Sequence, residues 1–175
     1  MKARTIIAAV LLMAAVAANA KEKQQLWPDG TPMDPWFADT AKVDVAALGR
    51  QYVITDYGVR GGDSTALQTE AIQKVIDTAA SQGGGVVVVP RGTFLTGSLF
   101  FRPGTHLHLR EGARLKGSDA ITHYKIVKTR LEGQTLNYFA ALINADGVDG
   151  FTITGSGTID GNGRRFYDEF WLRRK

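Results

Sequence analysis

The chain has 175 residues, no cysteine and a formal charge of +4. It is long enough for one domain with a packed core, and a disulfide-stapled scaffold is excluded. Setting aside Lys2 and Arg4 of the 21 Lys and Arg leaves 19 against 17 Asp and Glu, a charge of +2. A balance that small does not point to nucleic acid or a membrane surface as partner.

Lys2 and Arg4 open the chain, 6–16 is an almost unbroken apolar run, and Ala18-Asn19-Ala20 follows. Positive start, short apolar segment and small residues at a cleavage site predict a signal peptide over 1–20, cut after Ala20. The apolar run is short for a bilayer and meets Lys21-Glu22-Lys23 at once. The mature protein is therefore expected to be secreted or periplasmic, with no membrane contact.

Residues 21–50 carry Trp27-Pro28-Asp29-Gly30 and Met33-Asp34-Pro35-Trp36-Phe37 without a steady period. They read as an N-terminal arm with Trp27, Trp36 and Phe37 as packing anchors. The body, 51–175, opens with a strand at Tyr52-Val53-Ile54. One convincing amphipathic helix follows over 66–81, its stripe made of Leu67, Ala71, Val75 and Ala79 widened by Ile72 and Ile76. Thr65 and Gln68 have capping-box spacing, and Gly83-Gly84-Gly85 ends the helix.

Beyond Gly85 the strands are short. Val86-Val87-Val88-Val89, closed by Pro90, reads as a strand buried on both faces. Phe94-Leu95, Leu99-Phe100-Phe101, Leu107 and Leu109 follow between Gly97, Pro103 and Gly104. The segment from Leu107 to Gly117 lays over Phe151 to Gly161 at an offset of 44, with Leu115 meeting Ile159. That period fits two solenoid turns of about 22 residues or one coil carrying an insertion; the insertion, from Ser118 to about Phe139, is preferred for its weak strand character, after which Ala140 to Asn144 resumes near the level of Leu99 to Phe101. Coils of this kind bury their apolar faces only by stacking. The helix is placed to cap the first coil.

An ordered set of segments carries a family likeness: Asp56-Tyr57-Gly58; Thr69 to Asp77; Gly83 to Pro90; Gly92 to Leu99; Leu107 to Ala113; and Ile153 to Gly163. The series resembles the N-terminal third of polygalacturonases, the family 28 glycoside hydrolases. The resemblance implies an all-β, right-handed parallel β-helix with an N-terminal capping helix, here C-terminally truncated. It implies a secreted hydrolase of α-1,4-galacturonosyl linkages in pectin, with galacturonan or rhamnogalacturonan as partner and no cofactor. Inverting hydrolysis uses two carboxylates about 6.5–9.5 Å apart, one giving a proton and one activating water. The family's Asn-Thr-Asp, Asp-Asp, Gly-His-Gly and Arg-x-Lys motifs do not occur in this chain, so no catalytic residue is assigned. Asn144-Ala145-Asp146 precedes the Thr-Ile-Asp-Gly segment and is rejected as a substitute. The rival reading is a non-catalytic polysaccharide-binding or adhesin-like β-helix. A calcium-dependent lyase would need an acidic cluster that the sequence does not offer.

His106 and His108 share one strand face, with Leu107 and Leu109 inward. They read as an outward, solvated pair, and no metal site is assigned. Asp160 and Asn162, in the turn Asp160-Gly161-Asn162-Gly163, are candidate sugar contacts. So are Arg165, Tyr167 and Trp171, which offer a cation for an anionic polymer and rings for stacking.

Overall fold

The computed structural model describes residues 25–38, 42–62 and 64–174. The expected signal peptide lies outside them. The chain divides into two compact units between Lys42 and Val43.

In the first unit Leu26 bridges Pro32, and Asp29 Oδ1 accepts from the Thr31 amide (2.9 Å) and hydroxyl (2.7 Å). The tight turn and the 3-10 turn Pro35–Ala38 bring the aromatic residues together. Trp36 stacks on Phe37 at 3.8 Å and Trp27 meets Phe37 edge-on at 5.0 Å. The three rings, expected as anchors, pack on one another and remain exposed.

The second unit is a parallel β-helix. Its strands are β1 (Gln51–Val53), β2 (Gly85–Val89), β3 (Gly92–Thr96), β4 (Leu99–Phe100), β5 (Thr105–Leu109), β6 (Ala113–Gly117), β7 (Ile126–Leu131), β8 (Gln134–Phe139), β9 (Ile143–Asn144), β10 (Ile153–Gly155) and β11 (Thr158–Asp160). Three parallel sheets run along it: β1-β2-β5-β10, β3-β6-β11 and β4-β9. One coil is thus β2-β3-β4, the next β5-β6-β9, and the last begins with β10-β11. Inside stand Tyr52, Val87, Leu107, Phe94, Leu115 and Leu99. Each buried side chain of this size contributes about 1.5–3 kcal/mol. All five residues of β2 are buried, as the valine run predicts.

The helix α1 covers Thr69–Ser81, three residues later than the predicted start. Leu67 is held in a parallel bridge to Leu95, and the Gln68 amide donates to Leu95 O at 2.9 Å, so the helix does not begin before Thr69. Gln68 is the N-cap without a capping bond from its own side chain, which instead pairs with both backbone groups of Arg60. The glycine triplet stops the helix as predicted, and all three glycines have positive φ. Ile72, Val75, Ile76 and Ala79 face the core, whereas Leu67 is exposed outside the helix.

The capping role has an atomic basis. Gln73 accepts from the Phe100 amide and donates to the Phe100 carbonyl, both at 2.8 Å. Thr69 Oγ1 accepts from Gly97 N at 2.7 Å. Side chains of α1 thereby take the place of a neighbouring strand along β4, whose edge would otherwise stay open.

The 44-residue offset holds for β6 and β11, with Leu115 under Ile159, and for β4 and β9, with Leu99 under Ile143. Between β5 and β10 the offset is 46: Leu107 lies under Ile153 and not under Phe151. The last coil turns in two fewer residues, and Ser156 and Gly157 donate to Leu109 O at 3.1 and 3.2 Å. A Cβ on Gly155 would run into the Leu109 carbonyl, so only glycine fits that short turn.

A second helix, α2 (Arg164–Leu172), follows β11 and corrects the expectation of a single helix. Arg164–Asp168 and Arg165–Glu169 pair at i,i+4 along it.

Candidate functional site

The insertion after β6 is a folded element anchored at both ends. Ser118, buried, accepts from Ala120 N through its hydroxyl at 3.1 Å and bonds His123 Nδ1 at 2.7 Å. The Tyr124 hydroxyl donates to Ser118 O at 2.9 Å. Burial, and next the nearby Asp119 charge, raises the Tyr124 phenol above its ordinary 10.0, so it stays a neutral donor. Lys125 N donates to Ser98 Oγ at 3.1 Å, and Ala140 N closes the far end on Lys125 O at 2.8 Å. The backbone at His123 passes directly over Gly97, where any Cβ would collide with the His123 carbonyl. Between these anchors β7 and β8 form an antiparallel hairpin, turned by Glu132 and Gly133 at φ 50° and 84°.

On the other side, the turn after β11 launches α2. Arg114 reaches Asp160 Oδ2 through Nη2 at 2.7 Å and Nε at 3.1 Å, tying β6 to β11. Asp160 Oδ1 accepts from Asn162 N at 2.9 Å, and that bond, with help from Arg114, outweighs burial and holds the carboxyl below 3.8. Asn162 sits at φ 46° and donates from Nδ2 to Gly117 O at 3.1 Å. Asp160 and Asn162 therefore fasten the last coil to the one before it.

The turn sets α2 beside the insertion, with Phe166 edge-on to Tyr124 at 6.3 Å. A groove of about 890 Å³ runs between them, walled by Tyr138 and Phe139 on the insertion and by Phe166, Tyr167 and Phe170 on α2. Of the five predicted contacts, Arg165 and Tyr167 line it. Asp160 and Asn162 sit together in the turn, and Trp171 is exposed on α2 outside the lining. Sequence reasoning missed Tyr138, Phe139, Arg173 and Arg174. The signal for the hairpin was the β-branched and aromatic content of its two strands, at Ile126, Val127, Thr129, Tyr138 and Phe139. Chemically the groove offers recognition: ring faces for C–H surfaces and guanidiniums for carboxylates.

Elsewhere, Asn144 is consumed by structure, donating to Leu99 O at 3.0 Å and Ala141 O at 2.7 Å. His106 and His108 point away from the core but are only partly exposed. His108 Nδ1 bonds Thr154 Oγ1 at 2.8 Å, and the buried His106 Nδ1 has no partner among the described residues. No three His, Asp or Glu of the described residues gather as a metal cluster.

No protein-family profile matches the chain. An exo-poly-α-D-galacturonosidase of Dickeya chrysanthemi is 35% identical over 146 residues, 79% of this chain and 23% of that protein. Among solved structures, a hyperthermoactive exopolygalacturonase from Thermotoga maritima is 34% identical with a TM-score of 0.59, over 64% of this chain and 25% of that one. A family 28 exopolygalacturonase of Yersinia enterocolitica is 33% identical with a TM-score of 0.57, over 65% of this chain and 21% of that one. The chain spans about a quarter of the length of these relatives. In sequence and in coil architecture, it is homologous to the family 28 polygalacturonases.

Proposed function

We propose that this chain forms the first coils of a secreted hydrolase of pectic galacturonan. The observation that carries the reading is the in-register ladder of parallel coils together with 33–35% identity to exopolygalacturonases over most of the chain. In such a protein these coils act as scaffold and sugar contact. The proton donor and water-activating carboxylate that inverting hydrolysis requires would stand on coils beyond them, because Asn144 is held in the β9 ladder and the sequence contains no Asp-Asp pair. Export rests on the leader-like pattern of 1–20.

The test compares reducing-end release from polygalacturonate by the 175-residue chain and by a longer protein that continues it into carboxylate-bearing coils. Turnover by the longer protein and none by the chain is the expected result. Turnover by the chain alone, or none by the longer protein on any galacturonan, contradicts the reading. Mass spectrometry of the exported product should find Lys21 at its N-terminus.

A further inference from the structure

The first unit carries three uncovered rings in one short stretch. Trp27, Trp36 and Phe37 are 38%, 64% and 50% exposed. A ring of this size ordinarily stabilises a protein by being covered, so three left open together mark a surface that a ligand completes.

The rings are held in place before any ligand arrives. The Trp27 amide donates to Thr31 O, and the Gly30 amide donates to Trp27 O, both at 2.8 Å. The Trp36 amide donates to Asp34 Oδ1 at 3.2 Å. Phe37 is the common neighbour of the two indoles, its plane 29° from that of Trp36 and 78° from that of Trp27. Trp27 and Trp36 therefore cannot be coplanar. A flat crystalline face would reach one indole only, whereas a single chain that twists from one sugar to the next reaches both.

Charge narrows the ligand further. No Lys, Arg or His stands between Gln25 and Ala38, whereas Asp29 and Asp34 flank the rings. Bonds from Thr31, its hydroxyl first and then its amide, hold the Asp29 carboxyl below its ordinary 3.8, so it stays charged at neutral pH. Among the described residues both carboxylates are engaged through Oδ1, and a second carboxylate oxygen accepts readily from hydroxyl groups. Two negative charges beside the rings repel a uronate and suit a neutral polyhydroxylated ligand. Sugars with all ring hydroxyls equatorial, such as β-linked glucose, offer C–H groups on both faces, and an axial hydroxyl would interrupt one of them.

We infer that the aromatic turn of the first unit binds a single chain of neutral, β-linked pyranose sugars, with Trp27 and Trp36 taking ring faces and Asp29 and Asp34 accepting from hydroxyls. The ligand is a neutral glycan, unlike the acidic polymer proposed as substrate, and the site rests on the first unit alone.

The test titrates the purified chain calorimetrically with a β-1,4-linked glucose hexamer and with an α-1,4-linked galacturonate hexamer. The glucose hexamer should bind saturably, and the galacturonate hexamer about tenfold or more weaker. Trp27→Ala and Trp36→Ala should each weaken binding of the glucose hexamer about tenfold. Asp29→Asn with Asp34→Asn keeps an acceptor for each turn and should narrow the gap between the two hexamers about threefold. Tyr57→Ala removes an exposed ring of the second unit and should leave affinity unchanged. Every substituted side chain is exposed, and circular dichroism should show all variants folded alike.

The inference is overturned if the glucose hexamer does not bind, if the galacturonate hexamer binds as tightly, or if Tyr57→Ala weakens binding as much as the tryptophan variants. It is overturned equally if sedimentation shows self-association that Trp36→Ala abolishes, because the rings would then be covered by a second copy of the chain. None of these outcomes bears on the hydrolase reading, which the cleavage assay on polygalacturonate tests separately.

Discussion

The coil of β2 and β3 and the coil of β10 and β11 carry similar apolar residues in very different surroundings. Val87, Phe94 and the Leu115 that follows them are sealed, whereas Ile153 and Ile159, stacked on Leu107 and Leu115, are 47% and 42% exposed. Hydrophobicity does not separate these residues. What separates them is cover on both sides, by a coil or by α1 and the segment before it, against a coil on one side only, as expected where each repeat relies on its neighbours. The joints differ too. The earlier coils meet through stacked Val, Phe and Leu, whereas the last adds polar links to its stacked isoleucines: His108 to Thr154, Arg114 to Asp160, and Asn162 to Gly117 O.

The largest expected effect breaks the comparison most sharply. Phe94→Ala should cost about 3–5 kcal/mol of unfolding free energy, and Ile159→Ala about 0.5 kcal/mol or less. Urea denaturation of the two variants measures both. Similar costs would mean that the last coil is as well packed as the earlier ones.

Next comes the capped edge. Gln73→Ala strips the partner from both backbone groups of Phe100 and should cost about 1–3 kcal/mol. It should also increase self-association by sedimentation, because an opened strand edge templates pairing. A variant as stable and as monomeric as the parent would show that α1 does not protect β4.

The smallest effect is acid sensitivity at the polar joint. Burial, then the Arg110 charge, lowers the His108 imidazole below its ordinary 6.5. The folded chain therefore binds fewer protons there than the unfolded chain, and stability declines as pH falls below 6.5 until the lowered pKa is passed. His108→Gln should flatten that limb. Asp160 has its pKa lowered below 3.8, first by the bond from Asn162 N, so its contribution is present above 3.8 and is lost as pH falls through the lowered value. Asp160→Asn should remove this second limb. Stability profiles unchanged by either substitution would deny the joint its polar character.

Much of the coil order is local and therefore readable. Glycine and proline punctuate the strands, the valine run marks a strand buried on both faces, and the Gly83–Gly85 triplet stops α1 through its positive φ values. The misreadings came from tertiary capture or from neglected periodicity. Leu67 fits the helical stripe, but pairing with Leu95 claims it for a bridge and delays the helix. The two-residue slip at β10 follows from a turn tightened against Leu109, which a gapless overlay cannot reveal. By contrast, α2 was legible: Phe166 with Phe170 and Tyr167 with Trp171 repeat at i+4, as do its two Arg–acid pairs. Asp160 and Asn162 sit in the turn read from the sequence and fasten the joint. Arg165 and Tyr167 reach the groove, whose second wall depends on how the insertion folds back over Gly97.

Native-state amide hydrogen exchange followed residue by residue tests the account most directly. Protection should be greatest in β2, β3, β5 and β6, which have coils or α1 on both sides, and should fall by orders of magnitude at β10 and β11. Uniform protection through β11, or stronger protection at Ile153 to Asp160 than at Gly85 to Gly117, would contradict the claim that stacking neighbours hold this solenoid together.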